Sequence, residues 1–236
     1  MFRVLLLLAC FVAACDVAVQ PAERPTPAED AALRARADAA AEMFTQVVTR
    51  VEPAAEKKCR QVSQSMPCDF LFRVDVTPGA PVNAYQSEDL TGRPVITISG
   101  SMILDVRNAD ELAFVLSHEA SHHILNHIRR QRESAAYGAE LLAQKVAEQG
   151  GSARDIRIAQ ELGAAIGSRV YSKNHELEAD ELGTIITANA GYNPLIGMGY
   201  FEKTPDPGDK FLGTHPPNSD RRRAVQQTSS RIGVSL

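Results

Sequence analysis

The chain has 236 residues, 44% of them hydrophobic, and a formal net charge of −4. That length accommodates one domain with a sizeable core. The charge shows no long run of one sign, and the short Arg221 to Arg223 cluster does not change this, so nucleic acid is excluded as an electrostatic partner.

The first fifteen residues, MFRVLLLLACFVAAC, place one arginine ahead of about ten apolar residues and then small residues, the layout of an export signal. The run is shorter than the roughly 20 apolar residues of a spanning helix, and no later stretch approaches that length. Val12, Ala13, Ala14 and Cys15 resemble the bacterial lipobox, which predicts cleavage after residue 14, lipid on Cys15 and a membrane-anchored protein. Cleavage before Cys10 leaves too short an apolar run, and the alternative is a secretory signal with an incidental cysteine. Residues 15–29, with three prolines after Cys15, predict an extended tether, and residues 30–236 one domain. If Cys10 is removed and Cys15 lipidated, Cys59 and Cys68 remain as a disulfide pair in an oxidising compartment.

The alanine-rich stretch from Asp30 to Val51, with Leu33, Met43, Phe44, Val47 and Val48, predicts a helix that stops before Pro53. FLFRVDVT (70–77) and PVITISG (94–100) alternate apolar and polar residues and predict strands of one small sheet. After the caps Asn108 and Asp110 the chain predicts helix for most of about eighty residues, broken at Gly150 and Gly151 and ended near Gly191 and Pro194. Helix, short sheet and then helices define the α+β class.

LSHEASHHILNH (116–127) holds His118, Glu119 and His122 as HExxH. Residues four apart on a helix lie one above the other, so both imidazoles can reach one ion, with a carboxylate beside them to take a proton from water. A catalytic zinc needs a third protein ligand. The pattern with a further histidine six residues on fails, because Ile128 stands there. Along one continuous helix His123 and His127 point away from His122 and are expected to be packing, capping or surface residues. NHELEADELG (174–183) offers the alternative: Glu176 and Asp180 share a helix face, so Glu176 can bind zinc while Asp180 holds the far nitrogen of a ligating histidine. Glu178 and Glu181 are expected to be solvated.

The HExxH helix, the ExEAD helix and FLGTHPPNSDR (211–221), in that order, resemble the zinc metallopeptidases related to the CAAX prenyl protease and HtpX, closest to their periplasmic BepA- and LoiP-type branch. The resemblance implies a mainly helical, zincin-like (gluzincin) domain with a small sheet. It implies one Zn2+ per chain on His118, His122 and Glu176, Glu119 as general base, and Asp180 supporting a ligand. His127 matches a histidine frequent in that helix, and Lys173 stands where the family has an arginine, a point charge in place of a fork. PVNAYQSED (81–89) resembles the family's substrate-pairing edge strand, with Asn83 and Ala84 nearest the metal. His215 corresponds to a histidine that can reach the metal, as an inhibitory latch or as a stabiliser of the oxyanion. The function implied is an endopeptidase of the bacterial periplasm acting on misfolded or unassembled envelope proteins. The alternative is a non-enzymatic holdase or assembly factor of the same fold.

Overall fold

The computed structural model describes residues 26–63, 65–208 and 215–236. Cys10 and Cys15, and with them the signal and lipidation expectations, lie outside the described residues. The chain divides into two compact units, Met1–Arg36 and Ala37–Leu236.

The described part of the first unit is the opening of helix α1 (Pro27–Val62). The Glu29 carboxylate accepts from the Thr26 N–H at 2.8 Å, and Thr26 Oγ1 accepts from the Glu29 N–H at 3.3 Å. This reciprocal cap, with proline at the first helical position, starts the helix inside the stretch expected to be a tether. The second unit begins at Ala37, within α1.

In the second unit α1 runs on through Pro53, where the sequence predicted its end. Val47, Val51, Ala55 and Cys59, spaced by four, are fully buried, while Pro53 lies on the exposed side. An interior proline costs about 3 kcal/mol, whereas each buried valine contributes roughly 1.5 to 3 kcal/mol. Burial of the stripe therefore outweighs the local helix-breaking rule. Cys59 at the end of this stripe forms a disulfide with Cys68, their Cα atoms 5.7 Å apart.

The sheet has the order β1-β3-β2, from β1 (Leu71–Asp75), β2 (Ala84–Glu88) and β3 (Pro94–Ser99). β3 is buried throughout and pairs in parallel with β1, Leu71 opposite Val95, and antiparallel with β2, Ala84 opposite Ile98. β2 is thus an edge strand. Both predicted strands are found, slightly shorter than expected. Gly100, expected at the end of a strand, instead opens α2 (Gly100–Asp105), because Ser99 caps that helix by accepting from the Met102 N–H at 3.1 Å.

The helices that follow are α3 (Ala109–Ile124), α4 (His127–Glu148), α5 (Ala153–Val170), α6 (Ser172–Asn189), α7 (Pro194–Gly197) and α8 (Asn218–Arg231). The class is α+β and mainly helical, as expected. Phe70, Ile96, Ile98, Leu112, Leu116 and Ile186 join the α1 stripe in one core between sheet and helices. The helical stretch breaks where Gly150 and Gly151 predicted it, and also at Leu125 and Asn126. There Asn126 adopts φ 59°, the left-handed conformation that asparagine tolerates.

α4 and α5 form a hairpin packed backbone to backbone: a Cβ at Gly163 would collide with the Gly138 carbonyl, and one at Gly167 with that of Ser134. A groove of about 490 Å³ lined by Tyr137, Leu141, Ile166 and Val170 lies on this hairpin, apart from the residues the sequence singled out.

The disulfide closes a loop with a sequence separation of 9. Replacing Cys59 and Cys68 by serine is expected to lower the unfolding free energy by about 2 to 3 kcal/mol, read as an earlier midpoint in urea.

Candidate metal centre

His118, Glu119 and His122 stand on α3, and Glu176 and Asp180 stand one turn apart on α6. The two helices approach closely because position 183 is glycine: a Cβ there would sit 3.1 Å from both the Cα and the N of His118. At this separation His118 Nε2 and His122 Nε2 lie 3.1 Å apart, and the Glu176 carboxylate lies 3.6 Å from the first and 3.4 Å from the second. A tetrahedral ion with bonds of about 2.0 to 2.1 Å holds its ligand atoms roughly 3.3 Å apart. The three side chains fit such an ion.

The far nitrogens are occupied. His118 Nδ1 donates to Asp180 Oδ1 at 2.9 Å. Asp180, fully buried, also accepts two hydrogen bonds from the Arg221 guanidinium, at 2.7 and 2.6 Å. Arg221 comes from the first turn of α8 and lies over the Phe201 ring at 4.3 Å. With Nδ1 held by Asp180, Nε2 is the atom that His118 turns toward Glu176.

The charge balance favours one cation here. Burial pulls the His118 imidazole down, but Asp180 and Glu176 outweigh it and raise its pKa to about 10. Burial pushes Glu176 up, yet its hydrogen bonds to His118 and His215 hold it well below the usual carboxylate range. Glu119 lines the clefts beside this group. Burial raises its carboxyl to about 7, opposed by His118 and aided by Glu176, with a hydrogen bond from the Gln86 backbone pulling down.

That contact puts Glu119 beside the edge strand β2. Two clefts meet at Glu119 and Glu176. One, about 210 Å³, is lined by Asn83, Ala84, His118, Phe201, His215 and Arg221. The other, about 230 Å³, is lined by Tyr85, Gln86, His122, His127 and His175. Asn83 and Ala84 therefore line the site, and the Asn83 carbonyl accepts from the Ser99 N–H at 2.8 Å, fixing the start of the strand. His215 stands at the mouth, with Nδ1 3.1 Å from Glu176 Oε2 and its side chain 57% exposed. Residues 209–214, which lead to it, lie outside the described residues.

The expectation for His123 holds, while those for His127 and Glu178 change. His123 is a packing residue, donating to the Pro67 carbonyl at 2.7 Å against the edge of Phe70. His127, expected on the far side of the same helix, is instead the first residue of α4. The turn at Leu125 and Asn126 folds it back so that its Nδ1 is 2.8 Å from His122 Nδ1. Glu178 is half exposed but not merely solvated: it meets His127 Nε2 at 3.1 Å and Arg130 at 2.6 Å. Glu181 pairs with Arg231 at 3.1 Å on the surface. Arg221 ends the FLGTHPPNSDR motif and opens the short basic cluster, but the sequence assigns it no role. The signal that marks it is a helix start, Asn218-Ser219-Asp220, directly after two prolines, which places the next residue on an anchored first turn.

Two imidazoles and a carboxylate around one point, with a further carboxylate at a cleft and an edge strand, define the site of a metal-dependent hydrolase. The sequence pattern of peptidase family M48 matches residues 41–229, so the chain belongs to that family. It is also similar to a Vibrio cholerae serotype O1 protein named as a beta-barrel assembly-enhancing protease, at 28% identity over 142 residues. That match covers 53% of this chain and 29% of the relative.

Gly183→Ala forces a methyl group against the α3 backbone, which has no flexible side chain to give way. It is expected to cost about 1 to 3 kcal/mol of stability and to weaken metal binding by separating Glu176 from the imidazoles. Thermal melting and metal content after dialysis read the two effects.

Proposed function

We propose that the protein is a zinc-dependent endopeptidase of the bacterial cell envelope that cleaves misfolded or unassembled proteins. The observation that carries this reading is the convergence of one ligand atom each from His118, His122 and Glu176 within 4.8 Å, beside Glu119 and the open edge of β2. Bound there, zinc supplies Lewis acidity and lowers the pKa of a water to about 7.

The side chains supply the rest. Glu119 is the general base: its carboxyl takes the proton of the attacking water and hands it to the leaving amine. Asp180, clamped by Arg221, keeps His118 in the tautomer that presents Nε2. Asn83 and Ala84 begin an edge strand that pairs with the main chain of an extended substrate, so recognition favours unfolded segments over one side-chain sequence. A site that reads backbone suits substrates that have lost or not yet gained their structure.

The envelope assignment rests on the export-type N-terminus, the lipobox ending at Cys15, the disulfide, and the likeness to a relative named for β-barrel assembly. No described helix is long and apolar enough to cross a membrane, and lipid on Cys15 would supply the membrane contact. A holdase of the same fold is the competing function. It has no use for a base, and Glu119 at the junction of the two clefts weighs against it.

Glu119→Gln is expected to retain about one zinc per chain while casein hydrolysis falls by 100-fold or more. Parent protein purified without chelators that holds no zinc, or a variant as active as the parent, overturns the proposal. His215 is proposed as a latch. With Nδ1 3.1 Å from Glu176, its imidazole stands where it would fill the open fourth position of a bound zinc in place of water, and His215→Ala is therefore expected to raise peptidase activity. A drop of 100-fold or more with zinc retained assigns His215 to the oxyanion instead.

A further inference from the structure

The two proposed histidine ligands are supported differently. His118 has a carboxylate at its far nitrogen, whereas the far nitrogen of His122 meets another imidazole, that of His127, at 2.8 Å. Beyond His127 stands Glu178, 3.1 Å from Nε2, and Glu178 is gripped by both Arg130 Nη1 at 2.6 Å and Nη2 at 3.3 Å. His127 is almost fully buried, and its ring is stacked 4.3 Å from that of His175 at 11°. It cannot turn without losing that stack.

The hydrogen-bond inventory of these groups admits one assignment once His122 Nε2 is a ligand. A ligating Nε2 carries a lone pair, so the single proton of neutral His122 sits on Nδ1. Across 2.8 Å that proton needs an acceptor, so His127 Nδ1 carries a lone pair and its proton sits on Nε2. Glu178, an acceptor, receives it. We propose that His127 and Glu178 are positioning residues for metal binding: the chain Glu178 to His127 to His122 fixes the tautomer and ring angle of His122, as Asp180 does for His118. This rests on the metal-ligand reading above.

The arrangement also explains three acidic residues at alternate positions of α6. Glu176 binds, Asp180 one turn on serves the first histidine, and Glu178, on another face, serves the second through a relay. The relay exists because the turn at Asn126 starts a new helix at His127. A helix continued through this point would carry His127 about 140° around from His122.

The test is zinc affinity of the full chain, measured by competition with a chromophoric chelator. It is combined with nitrogen NMR of histidine-labelled protein and melting curves to follow the fold. His127→Phe keeps a ring for the stack but has no acceptor, and is expected to weaken zinc binding by about 10- to 100-fold and to remove the His122 Nδ1–H resonance. His127→Asn places a carbonyl oxygen where Nδ1 stood and is expected to stay within about threefold of the parent. Glu178→Ala, on the surface, is expected to weaken binding by about tenfold.

If folded His127→Phe binds zinc as tightly as the parent while His118→Ala loses it, the relay is overturned and the ligand set stands. An Asn variant as weak as the Phe variant overturns it too, because His127 then serves only packing. Parent protein that binds no zinc removes the ligand reading, and the relay with it.

Discussion

The site depends on how close α6 comes to α3. Helices that meet through ordinary side chains keep their axes 8 to 10 Å apart, and a glycine at the crossing lets the backbones approach further. Gly183 stands at that crossing, against the backbone of His118. The consequence runs back along α6. One turn before the crossing Asp180 reaches Nδ1 of His118, and one turn earlier Glu176 meets both Nε2 atoms. Neither carboxylate is stable in this environment alone, since burying an unpaired charge costs several kcal/mol. Asp180 is offset by His118 and the Arg221 fork, and Glu176 by the imidazole beside it. The close packing and the charge pairing are therefore one condition: spread the helices and both carboxylates lose their partners together.

The parts of this arrangement that were legible in the sequence are those set by local spacing. HExxH and the Glu176 and Asp180 pair are statements about which residues share a helix face, and α-helical geometry is the same in every chain. The strands at 71–75 and 94–99 were visible through alternation. β2 was not, because AYQSE has no clean apolar face, and only the family resemblance pointed to it. Pro53 misled because a local penalty was read without the buried stripe that exceeds it. His127 was placed wrongly because one asparagine in a left-handed conformation, with no glycine or proline to announce it, redirects the chain between two helices. Arg221 lies 41 residues from Asp180 in sequence, and no spacing rule connects residues on separate helices. What failed to show was the tertiary part, and it comprises most of the groups that support the ligands rather than the ligands themselves.

The sheet is small, but its order matters to the site. Placing the fully buried β3 in the centre leaves β2 at an edge, where it faces the cleft that contains Glu119. Exposed edges invite unwanted pairing in most proteins. Here the edge is short, begins beside the site, and is bordered by two clefts, so the strand that can be extended by another chain is the one that lies next to the reacting groups.

The α4 and α5 hairpin, packed through Gly138, Gly163 and Gly167, has a bearing on how the molecule comes together from an unfolded chain. His118 and Glu176 are separated by about 60 residues, and bringing such distant points together is entropically slow. The hairpin is made of near neighbours joined by a tight turn at Gly150, so it can zip from its tip toward its base with contacts that are local at every step. When it closes, the ends that remain to be joined are the end of α3 and the start of α6. In the folded chain the long middle segment is thus a shortcut: the closed hairpin leaves a short gap between the two halves of the site in place of a long open loop.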